Sequence, residues 1–259
     1  MWDPAQYGVF ADERARPFAE LLGRVRAEDP AYVVDLGCGD GALTATLLDR
    51  WPGASVQGVD SSPAMLASAM PRVVPGRLSF ARGSIERWHA ERPVDVLVSN
   101  AALHWVPDHR GLVVRLVAAL APGGWFGFQV PGNFDSPHHV ELAALCESPR
   151  WRARLGAVGR RNPPVLAPAA YLDLLAAAGC AADVWETTYL HVLPGDNPVL
   201  EWVRGSALRP VLAALAGDSD AEADFLAEYG ERLRAAHPPA PYGTVLPFRR
   251  IFAVARREG

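Results

Sequence analysis

The chain has 259 residues, half of them hydrophobic, which suffices for a sizeable core in one large domain or in a domain with a cap. All 25 basic residues are arginine, and the net charge of −4 with no basic run argues against a nucleic-acid surface. No run approaches the roughly 20 apolar residues that cross a bilayer, and the first residues do not read as a secretory signal. Three scattered cysteines predict neither a disulfide framework nor a metal site. We therefore expect a cytoplasmic protein with no nucleic-acid or membrane partner.

The first half of the chain predicts a parallel α/β sheet. Hydrophobic periodicity indicates a helix at about 11–28 and then strands near 31–36, 55–60, 77–82, 94–99 and 123–130, separated by helices. Strands that alternate with helices are typical of a parallel sheet covered on both faces. After the second strand, Ser62 is predicted as a helix N-cap with Pro63 at the first helical position.

The pattern changes after Val130. Residues at about 137–178 and 197–237 are predicted to be mostly helical, and they flank a strand-like segment near 182–192. Asn197-Pro198 is a helix-start signal, and Ser219 with Glu222 reads as a capping box. We expect these helices to form a lid.

A glycine-rich turn is the most informative feature of the chain. Residues 33–41 read VVDLGCGDG, and residues 56–60 follow as VQGVD, which describes a strand, a turn, a helix and a second strand that ends in Asp60. Glycines permit positive φ and leave no Cβ in the way of a ligand that lies against the turn. Asp60 is placed to accept hydrogen bonds from both hydroxyls of a ribose. The sequence therefore predicts a nucleotide-cofactor site.

The spacing of the glycines selects among cofactors. A dinucleotide fingerprint reads G-x-G-x-x-G, whereas Gly37, Gly39 and Gly41 alternate as G-x-G-x-G after Asp35. A carboxylate beside the turn would repel a pyrophosphate but can pair with the ammonium of an amino acid. The pattern therefore favours S-adenosylmethionine over NAD, and no metal is implied.

At this turn the chain resembles the class I S-adenosylmethionine-dependent methyltransferases, whose first motif usually reads as an acid followed by G-x-G-x-G. Further segments are similar to trans-aconitate 2-methyltransferases. They comprise residues 2–7, then Phe10, Glu13, Arg14, Arg16 and Pro17, followed by residues 99–109, 185–191, 201–203, 208–210 and 246–252. The resemblance spans essentially the whole chain, and its specific part is the two ends together with the region from Tyr189 to Arg209.

The resemblance implies a Rossmann-like, mostly parallel seven-stranded sheet with helices on both faces and a helical lid. The cofactor-binding core with its N-terminal helical segment would cover 1–132. The mainly helical lid, with one core strand near 182–192, would cover 133–243, and a C-terminal strand at 244–259 is expected at the sheet edge. It also implies S-adenosyl-L-methionine as cofactor and a small polycarboxylic acid, trans-aconitate above all, as the acceptor of an O-methyl group.

Cofactor contacts are expected at the carboxyl ends of four strands, because ligands of open α/β sheets bind there. Many relatives carry an acid after the glycine of the third turn, where this chain has Gly83-Ser84-Ile85, so that backbone N–H groups would serve instead. Asn100 either faces the cleft or has a structural role in its turn. The candidates are Tyr7, Arg14, Asp35, Gly37, Gly39, Asp60, Ser61, Met65, Gly83, Ser84, Ile85 and Asn100.

His104 is the candidate catalytic residue, because it follows the fourth strand where the sulfonium methyl group is expected. An acceptor carboxylate is already ionised at neutral pH, so a histidine need only orient it or donate a hydrogen bond to it. With a phenol or an amine as acceptor, the same histidine could remove a proton. The sequence leaves both roles open, together with simple packing of the His104-Trp105 pair.

Acceptor recognition is expected to use arginine forks, which are the natural partners of carboxylates. Arginines 14, 16, 209, 249 and 250 all lie in the family-like segments, and for each of them a surface salt bridge is an equally open interpretation. Aromatic side chains there could instead form the core of the lid. The substrate candidates are Trp105, Gln129, Tyr189, His191, Trp202, Arg209 and Arg249.

Alternative functions remain open at this point. A carboxyl methyltransferase that acts on a malonyl thioester, or a methyltransferase of secondary metabolism, would share the core and differ in the lid. A cofactor-binding module without catalysis is the alternative from a different class. The oligomeric state is open, with a monomer favoured.

Overall fold

The computed structural model describes residues 11–159 and 165–259, without the side chains of residues 11–14 and 159. The chain forms two compact units. Unit 1 comprises Met1–Pro131, Pro164–Thr187 and Arg250–Gly259, and unit 2 comprises Gly132–Pro163 and Thr188–Arg249. Tyr7 lies outside the described residues, as does the side chain of Arg14.

Helices and strands alternate through the first half of the chain, as the periodicity predicts. In chain order the elements are α1 (Ala11–Arg24), β1 (Tyr32–Leu36), α2 (Ala42–Arg50), β2 (Ser55–Asp60), α3 (Pro63–Ala69), β3 (Leu78–Arg82), β4 (Val94–Asn100), α4 (His109–Ala118) and β5 (Leu120–Pro131). Short 3₁₀ turns cover Met70–Arg72, Ile85–Arg87 and Leu103–Trp105.

The second half adds helices and the last strands. These are α5 (Pro137–Cys146), α6 (Arg152–Gly159), α7 (Pro168–Ala177), β6 (Cys180–Leu193), α8 (Pro198–Arg204), α9 (Arg209–Leu215), α10 (Ser219–Ala236), β7 (Pro239–Ala240) and β8 (Gly243–Arg257). No helix in the described ranges is both long and apolar enough to cross a membrane.

The sheet has the strand order β3-β2-β1-β4-β5-β8-β6, with the two-residue β7 paired to β8 beside this path. Strands β1 to β5 pair in parallel, and β8 pairs antiparallel to β5. The predicted mostly parallel, seven-stranded arrangement is thus confirmed. Strands β2 and β3 are added on one side of β1, and β4 and β5 on the other. The switch point between β1 and β4 is where open α/β sheets bind ligands.

The prediction of an edge position for the C-terminal strand is wrong, because β8 lies between β5 and β6. Residues Ile251 to Ala255 are all at most 3% exposed, so both faces of this part of the strand are covered. A continuous apolar run is typical of such an interior strand, whereas an edge strand that faces water on one side alternates.

Both faces of the central sheet are covered in unit 1. Phe126 and Phe128 on β5 pack into the main core cluster together with α4 and with Tyr171 of α7. A Cβ on Gly127 would lie on the opposite face of the sheet. It would be 3.6 Å from Leu21 in α1 and 3.2 Å from Val25, the residue after α1. Because strand residues alternate between faces, one strand supports helices on both sides.

Helix starts follow the predicted signals with one shift. Ser62 caps α3 by accepting a hydrogen bond from the Met65 backbone N–H, and Pro63 is the first helical residue, as predicted. The predicted capping box at Ser219 is wrong by one residue. Asp218 is the N-cap of α10, and its carboxylate accepts a hydrogen bond from the Ala221 N–H. The helix dipole also favours a negative charge at this position, which a serine does not supply.

Three buried or half-buried histidines cluster in unit 2. The ring of His138 lies 4.6 Å from that of His139 and 5.7 Å from that of His237. The Asn133 amide nitrogen lies 3.2 Å from His138 Nε2. Burial is the main cause that lowers the pKa of His138 to about 3, and the two neighbouring histidines contribute in the same direction. Burial also lowers the pKa of His139 to about 4, against the opposing charge of Asp135.

Acid should destabilise the protein through this cluster. A histidine with a depressed folded-state pKa binds fewer protons than in the unfolded chain, so its contribution is present above pH 6.5 and is lost as the pH falls toward 3. For His138 alone we expect a loss of about 2.5 kcal/mol in unfolding free energy between pH 7 and pH 4.5. Denaturant titrations at the two pH values should show a smaller loss in His138→Gln. The control His89→Gln removes an exposed histidine, and its loss of unfolding free energy between the two pH values should equal that of the wild type. Equal losses in all three proteins would contradict the assignment of the acid sensitivity to His138.

Candidate active site

Three turns converge on Gly37, directly after β1. The backbone N–H groups of Gly37 and Cys38 donate to the Val59 carbonyl on β2 at 2.8 and 3.1 Å. Gly37 has a φ of 81°, and a Cβ there would lie 2.3 Å from the Cβ of Ala102 and 3.3 Å from the Cδ1 of Ile85. The turns that follow β3 and β4 therefore reach the β1 turn only because Gly37 has no side chain.

Gly39 and Gly41 have different surroundings. A Cβ on Gly41 would lie 2.5 Å from the ring of Phe80, so this glycine permits packing within the protein. A Cβ on Gly39 would meet no atom within 4 Å, although its φ of 57° also favours glycine. Gly39 therefore leaves open space above the turn, where a ligand can approach the backbone closely.

Asp60 is held in a fixed orientation at the end of β2. Its Oδ2 accepts a hydrogen bond from the Gly39 N–H at 2.9 Å, and its Oδ1 accepts from the Ser62 N–H at 2.8 Å. Each carboxylate oxygen can accept a second hydrogen bond. The half-buried carboxylate can thus still accept from two hydroxyl groups of a ribose, as the sequence predicts.

Asp35, on β1, is a buried acid beside the same turn. It is 3% exposed, and its Oδ2 accepts from the Thr44 hydroxyl at 2.6 Å. Burial raises the pKa of Asp35 to about 7; the Thr44 hydrogen bond opposes this rise and the charge of Asp60 adds to it. Two neighbouring carboxylates favour a cation, which fits the ammonium group of S-adenosylmethionine and does not fit a pyrophosphate.

The other predicted cofactor residues lie around these turns. The Gly83 N–H donates to the Asp60 carbonyl at 3.0 Å, which joins the β3 turn to the end of β2. Ser84 and Ile85 are half-buried in that turn and Ser61 is exposed, whereas the Met65 side chain is buried in α3. Binding roles for all of them stay predictions.

The end of β4 has an unusual backbone. Ala101 has a φ of 53°, and it is the one non-glycine residue with positive φ among the described residues. This left-handed conformation costs roughly 1–2 kcal/mol, and such strain often occurs at functional sites. It turns the chain directly after Asn100, so that the Ala102 side chain comes close to Gly37.

Three polar side chains cross the sheet beside this turn, and we call Asn100, Gln129 and Arg250 the polar row. Asn100 and Gln129 are register partners on β4 and β5. Gln129 Nε2 donates to Asn100 Oδ1 at 2.7 Å, and Arg250 Nη1 on β8 donates to Gln129 Oε1 at 3.3 Å. Gln129 is fully buried and Arg250 is 5% exposed. The row places a buried positive charge at the sheet.

His104 lies in the 3₁₀ turn after β4 and is neutral at physiological pH. Burial is the main cause that lowers its pKa to about 3, and the neighbouring His109 and the charge of Arg250 act in the same direction. The ring centroid lies 4.7 Å from that of Trp105, which is 47% exposed. A neutral imidazole of such low basicity can donate a hydrogen bond but is poorly suited to remove a proton from a phenol or an amine.

A buried pair that sequence reasoning missed supports the His104 turn. His109 Nδ1 lies 3.0 Å from the Leu103 carbonyl oxygen, and its Nε2 lies 2.6 Å from the Tyr171 hydroxyl. A carbonyl can only accept, so Nδ1 carries the proton and Tyr171 donates to Nε2. Tyr171 is fully buried and also accepts from the Leu166 N–H. The two partners are 62 positions apart in the sequence, so no local signal indicates this pair.

Unit 2 brings three of the predicted substrate residues together. His191 stacks on Trp202 with ring centroids 4.9 Å apart, and Tyr189 lies parallel to His191 at 6.0 Å. Phe248 lies 5.7 Å from Trp202 and completes this aromatic cluster, whose predicted members are all at most 9% exposed.

The two predicted arginines lie elsewhere in unit 2. Arg209 is the half-buried first residue of α9. Arg249 is half-buried, and its Nη1 donates to the Gly132 carbonyl at 2.9 Å. Contacts of either arginine with a substrate stay predictions.

Known proteins resemble the chain at two levels. Residues 33–124 match the model of a methyltransferase domain. The trans-aconitate 2-methyltransferase of Streptomyces avermitilis is 54% identical to this chain, over 99% of this chain and 97% of its own length. The enzyme of the same name from Streptomyces coelicolor is 52% identical, over 99% of this chain and 86% of its own length. The solved S-adenosylmethionine-dependent methyltransferase of Mesorhizobium loti has a TM-score of 0.52 at 19% identity, over 95% of this chain and 99% of that one, which supports the fold alone.

Two glycines of the turn should respond differently to alanine. In Gly37→Ala the new methyl group meets Ala102, so we expect a loss of several kcal/mol of stability. In Gly39→Ala the space is open, so the cost should be only the positive-φ strain of roughly 1–2 kcal/mol. Its methyl group should nevertheless weaken binding of S-adenosylhomocysteine at least about tenfold, measured by calorimetry.

The matched control is Gly179→Ala, since Gly179 has a φ of 79° and open space around it. This variant should lose a similar amount of stability and bind S-adenosylhomocysteine with unchanged affinity. Wild-type affinity in Gly39→Ala would mean that the ligand does not approach this part of the turn.

Proposed function

Because the chain belongs to the trans-aconitate 2-methyltransferase family, we propose that it transfers the methyl group of S-adenosylmethionine to a carboxylate of a small polycarboxylic acid, trans-aconitate above all. The full-length identity with relatives that carry this name supports the proposal. The single structural observation that carries it is the glycine turn with open space at Gly39 and two acids, Asp35 and Asp60, beside it.

The residues around the turn would hold the cofactor in the following way. Asp60 would accept hydrogen bonds from the ribose hydroxyls, and Asp35 would face the positively charged amino-acid end. Gly39 would admit the ligand to the backbone, and the N–H groups of Ser84 and Ile85 would contact the base. When bound, S-adenosylmethionine supplies a sulfonium methyl group whose leaving group is a neutral thioether.

The enzyme's main task in such a transfer is to align the nucleophile, because a carboxylate acceptor is already ionised at neutral pH. His104 would donate a hydrogen bond from its neutral imidazole to the acceptor and would not act as a base. Trp105, about half exposed beside it, would cover the reacting groups. Of the two roles that the sequence leaves open, the low pKa of His104 favours the orienting one.

The predicted roles of the aromatic cluster of unit 2 in acid recognition stay proposals, which rest on side-chain chemistry alone. Tyr189, His191 and Trp202 combine flat apolar faces with polar edges, which suits an unsaturated polycarboxylate. Arg209 and Arg249 are proposed as additional carboxylate partners. The function of the helical segment as a lid stays a prediction.

Features of the chain support a cytoplasmic protein. All three cysteines are buried free thiols, which suits a reducing compartment. We propose that the protein acts as a monomer on small molecules and not on nucleic acid or membranes.

A direct assay tests the proposed reaction. Purified protein is incubated with S-adenosylmethionine and, separately, with trans-aconitate, cis-aconitate, citrate and a malonyl thioester, and both S-adenosylhomocysteine and methyl ester are followed by mass spectrometry. We expect selective methylation of trans-aconitate. Selective turnover of the malonyl thioester would support the alternative carboxyl methyltransferase. Binding of S-adenosylmethionine without turnover of any acid would leave a methyltransferase of secondary metabolism or a non-catalytic binding module.

The pH dependence should separate the roles of His104 and Asp35. With both substrates saturating, kcat should be constant between about pH 5.5 and 8.5, because the pKa of His104 is about 3 and the acceptor carboxylates are ionised. The KM for the methyl donor should rise as the pH falls below about 7, because protonated Asp35 cannot pair with an ammonium group.

The variant Thr44→Val provides the check on Asp35. Loss of the Thr44 hydrogen bond raises the pKa of Asp35 further, so the rise in KM should begin at higher pH. A kcat that decreases as the pH is lowered, with a midpoint near pH 6.5, would show instead that a histidine acts as a base.

A further inference from the structure

We propose that Asn100 donates a hydrogen bond from its amide nitrogen to a carboxylate of a bound reactant, and that Arg250 and Gln129 fix the amide in this orientation from within the sheet. The inference rests on the proposed function and deepens it by assigning Asn100 a direct contact. Gln129, which the sequence predicts as a substrate residue, becomes a positioning residue, because its side chain is fully buried.

The orientation of the polar row begins at Arg250. A guanidinium has only N–H groups, so it donates in every hydrogen bond and accepts in none. The Gln129 atom that lies 3.3 Å from Arg250 Nη1 is therefore the amide oxygen Oε1. Further contacts of the guanidinium leave this conclusion unchanged, because its N–H groups would donate in those contacts too. The two ends of the Gln129 amide have the same shape, and the guanidinium distinguishes them.

The same constraint passes from Gln129 to Asn100. With Oε1 toward Arg250, the other end of the Gln129 amide is the donor Nε2, which lies 2.7 Å from Asn100 Oδ1. An NH2 group donates, so the Asn100 atom that faces Gln129 has to be the oxygen. The Asn100 nitrogen, Nδ2, is then the end of the amide that does not face the row. A donor on β8 thus sets the orientation of an amide on β4.

Gln129 also holds the backbone beside Asn100. Its carbonyl oxygen accepts a hydrogen bond from the Ala101 N–H at 3.0 Å. Ala101 has a φ of 53°, so this hydrogen bond fixes the residue at which the chain turns after β4. One fully buried residue therefore holds both the Asn100 side chain and the peptide that follows it, and connected hydrogen bonds of this kind make a local structure rigid.

The amide nitrogen of Asn100 is a donor that the described part of the chain does not use. No described residue accepts a hydrogen bond from Asn100 Nδ2. Asn100 is the last residue of β4 and is half-buried, so part of it can reach a ligand. The carboxyl ends of the strands are where open α/β sheets bind their ligands. A fixed and unused donor at this place is suited to bind a reactant.

The chemistry of the reactants selects the partner of this donor. The polar groups around the transferred methyl are the sulfonium, ammonium and carboxylate groups of the methyl donor and the carboxylates of the acceptor. An NH2 group does not pair with either cation, and a carboxylate oxygen accepts a strong, charge-assisted hydrogen bond from it. Asn100 therefore binds a carboxylate, which is supplied by the methionine part of the cofactor or by the acceptor.

Two full-length variants reverse the donor. Asn100→Asp keeps an oxygen toward Gln129 and puts a second oxygen in the place of the NH2 group. Gln129→Glu leaves Asn100 and Arg250 unchanged, but the new carboxylate cannot donate to Asn100 Oδ1. The Asn100 amide should then turn over, so that Nδ2 faces the new carboxylate and Oδ1 faces the reactant. Measurement at about pH 8 keeps a carboxyl group beside a guanidinium ionised.

Two controls separate the orientation of the amide from the added charge. Gln57→Glu makes the same change on β2, where the Tyr32 hydroxyl donates to the side-chain oxygen at 2.8 Å and can still do so. Asn100→Ala removes the amide, so Gln129→Glu in this background has no amide to turn over. Any loss of affinity that Gln129→Glu still causes in this background is due to its charge alone.

Calorimetry with three ligands locates the carboxylate without relying on turnover. Methylthioadenosine contains the adenosine and the thioether without the amino acid, so every folded variant should bind it within about twofold of the wild-type affinity. S-adenosylhomocysteine adds the methionine carboxylate, and trans-aconitate is titrated into protein saturated with S-adenosylhomocysteine. One of these two ligands, the one that carries the contacted carboxylate, should bind at least about 30-fold more weakly in Asn100→Asp and in Gln129→Glu. Its loss should be about tenfold in Asn100→Ala and at most about twofold in Gln57→Glu.

Gln129→Glu gives the sharpest result, since it changes a fully buried residue. In the Asn100→Ala background it should alter neither affinity by more than about twofold. Equal losses in both backgrounds, or wild-type affinity for both ligands in Gln129→Glu, would overturn the assignment of Asn100 and leave the proposed function intact. If Gln129→Glu does not fold, wild-type affinity for both ligands in Asn100→Asp overturns the assignment.

The wild type tests the proposed function separately. A wild type that neither binds nor methylates any polycarboxylate would overturn the proposed function. Weaker binding of S-adenosylhomocysteine in Asn100→Asp and Gln129→Glu, with unchanged binding of methylthioadenosine, would in that case still support the contact between Asn100 and the methionine carboxylate.

Discussion

The close approach at Gly37 is the constraint on which the rest of the site depends. The missing side chain lets Ala102 and Ile85 reach the turn after β1, so that the ends of three strands meet at one point. A single added methyl group would separate them. The same meeting point explains the strained backbone of Ala101, because only a left-handed residue there turns the chain toward Gly37 directly after β4. The strained backbone lowers the stability of the protein, and it brings Asp60, Asn100 and His104 together at the carboxyl ends of the strands.

Charge is distributed unevenly across that edge in unit 1. The ends of β1 and β2 carry the carboxyl groups Asp35 and Asp60, which suit a cation. The strands on the other side carry Arg250, whose Nη1 donates to the Gln129 side chain. The two carboxyl groups at the ends of β1 and β2 suit the sulfonium and ammonium groups of the methyl donor.

Two histidines at the β4 end, the half-buried His104 and the buried His109, have complementary tasks. His109 holds the carbonyl of Leu103 and takes a hydrogen bond from Tyr171, which fixes the turn. His104, next in that turn, keeps a neutral ring because burial and nearby positive charge disfavour its protonation. A neutral imidazole does not trap an anionic acceptor in a tight ion pair, and it still offers a hydrogen-bond donor. A shared fold alone does not identify the acceptor.

The sequence by itself determined the alternation of strands and helices, the glycine turn, the preference for S-adenosylmethionine and the family, because these depend on local spacing and periodicity. The sheet order beyond β5, the N-cap at Asp218, the His109–Tyr171 pair and the polar row were decided by the tertiary structure. Arg250 illustrates the reason. Within the apolar run of residues 248–255, a charge was the only local signal, and it did not distinguish Arg250 from Arg249. Which of the two faces Gln129 depends on antiparallel register with a strand about 120 residues earlier, and non-local pairing of this kind leaves no mark in local sequence.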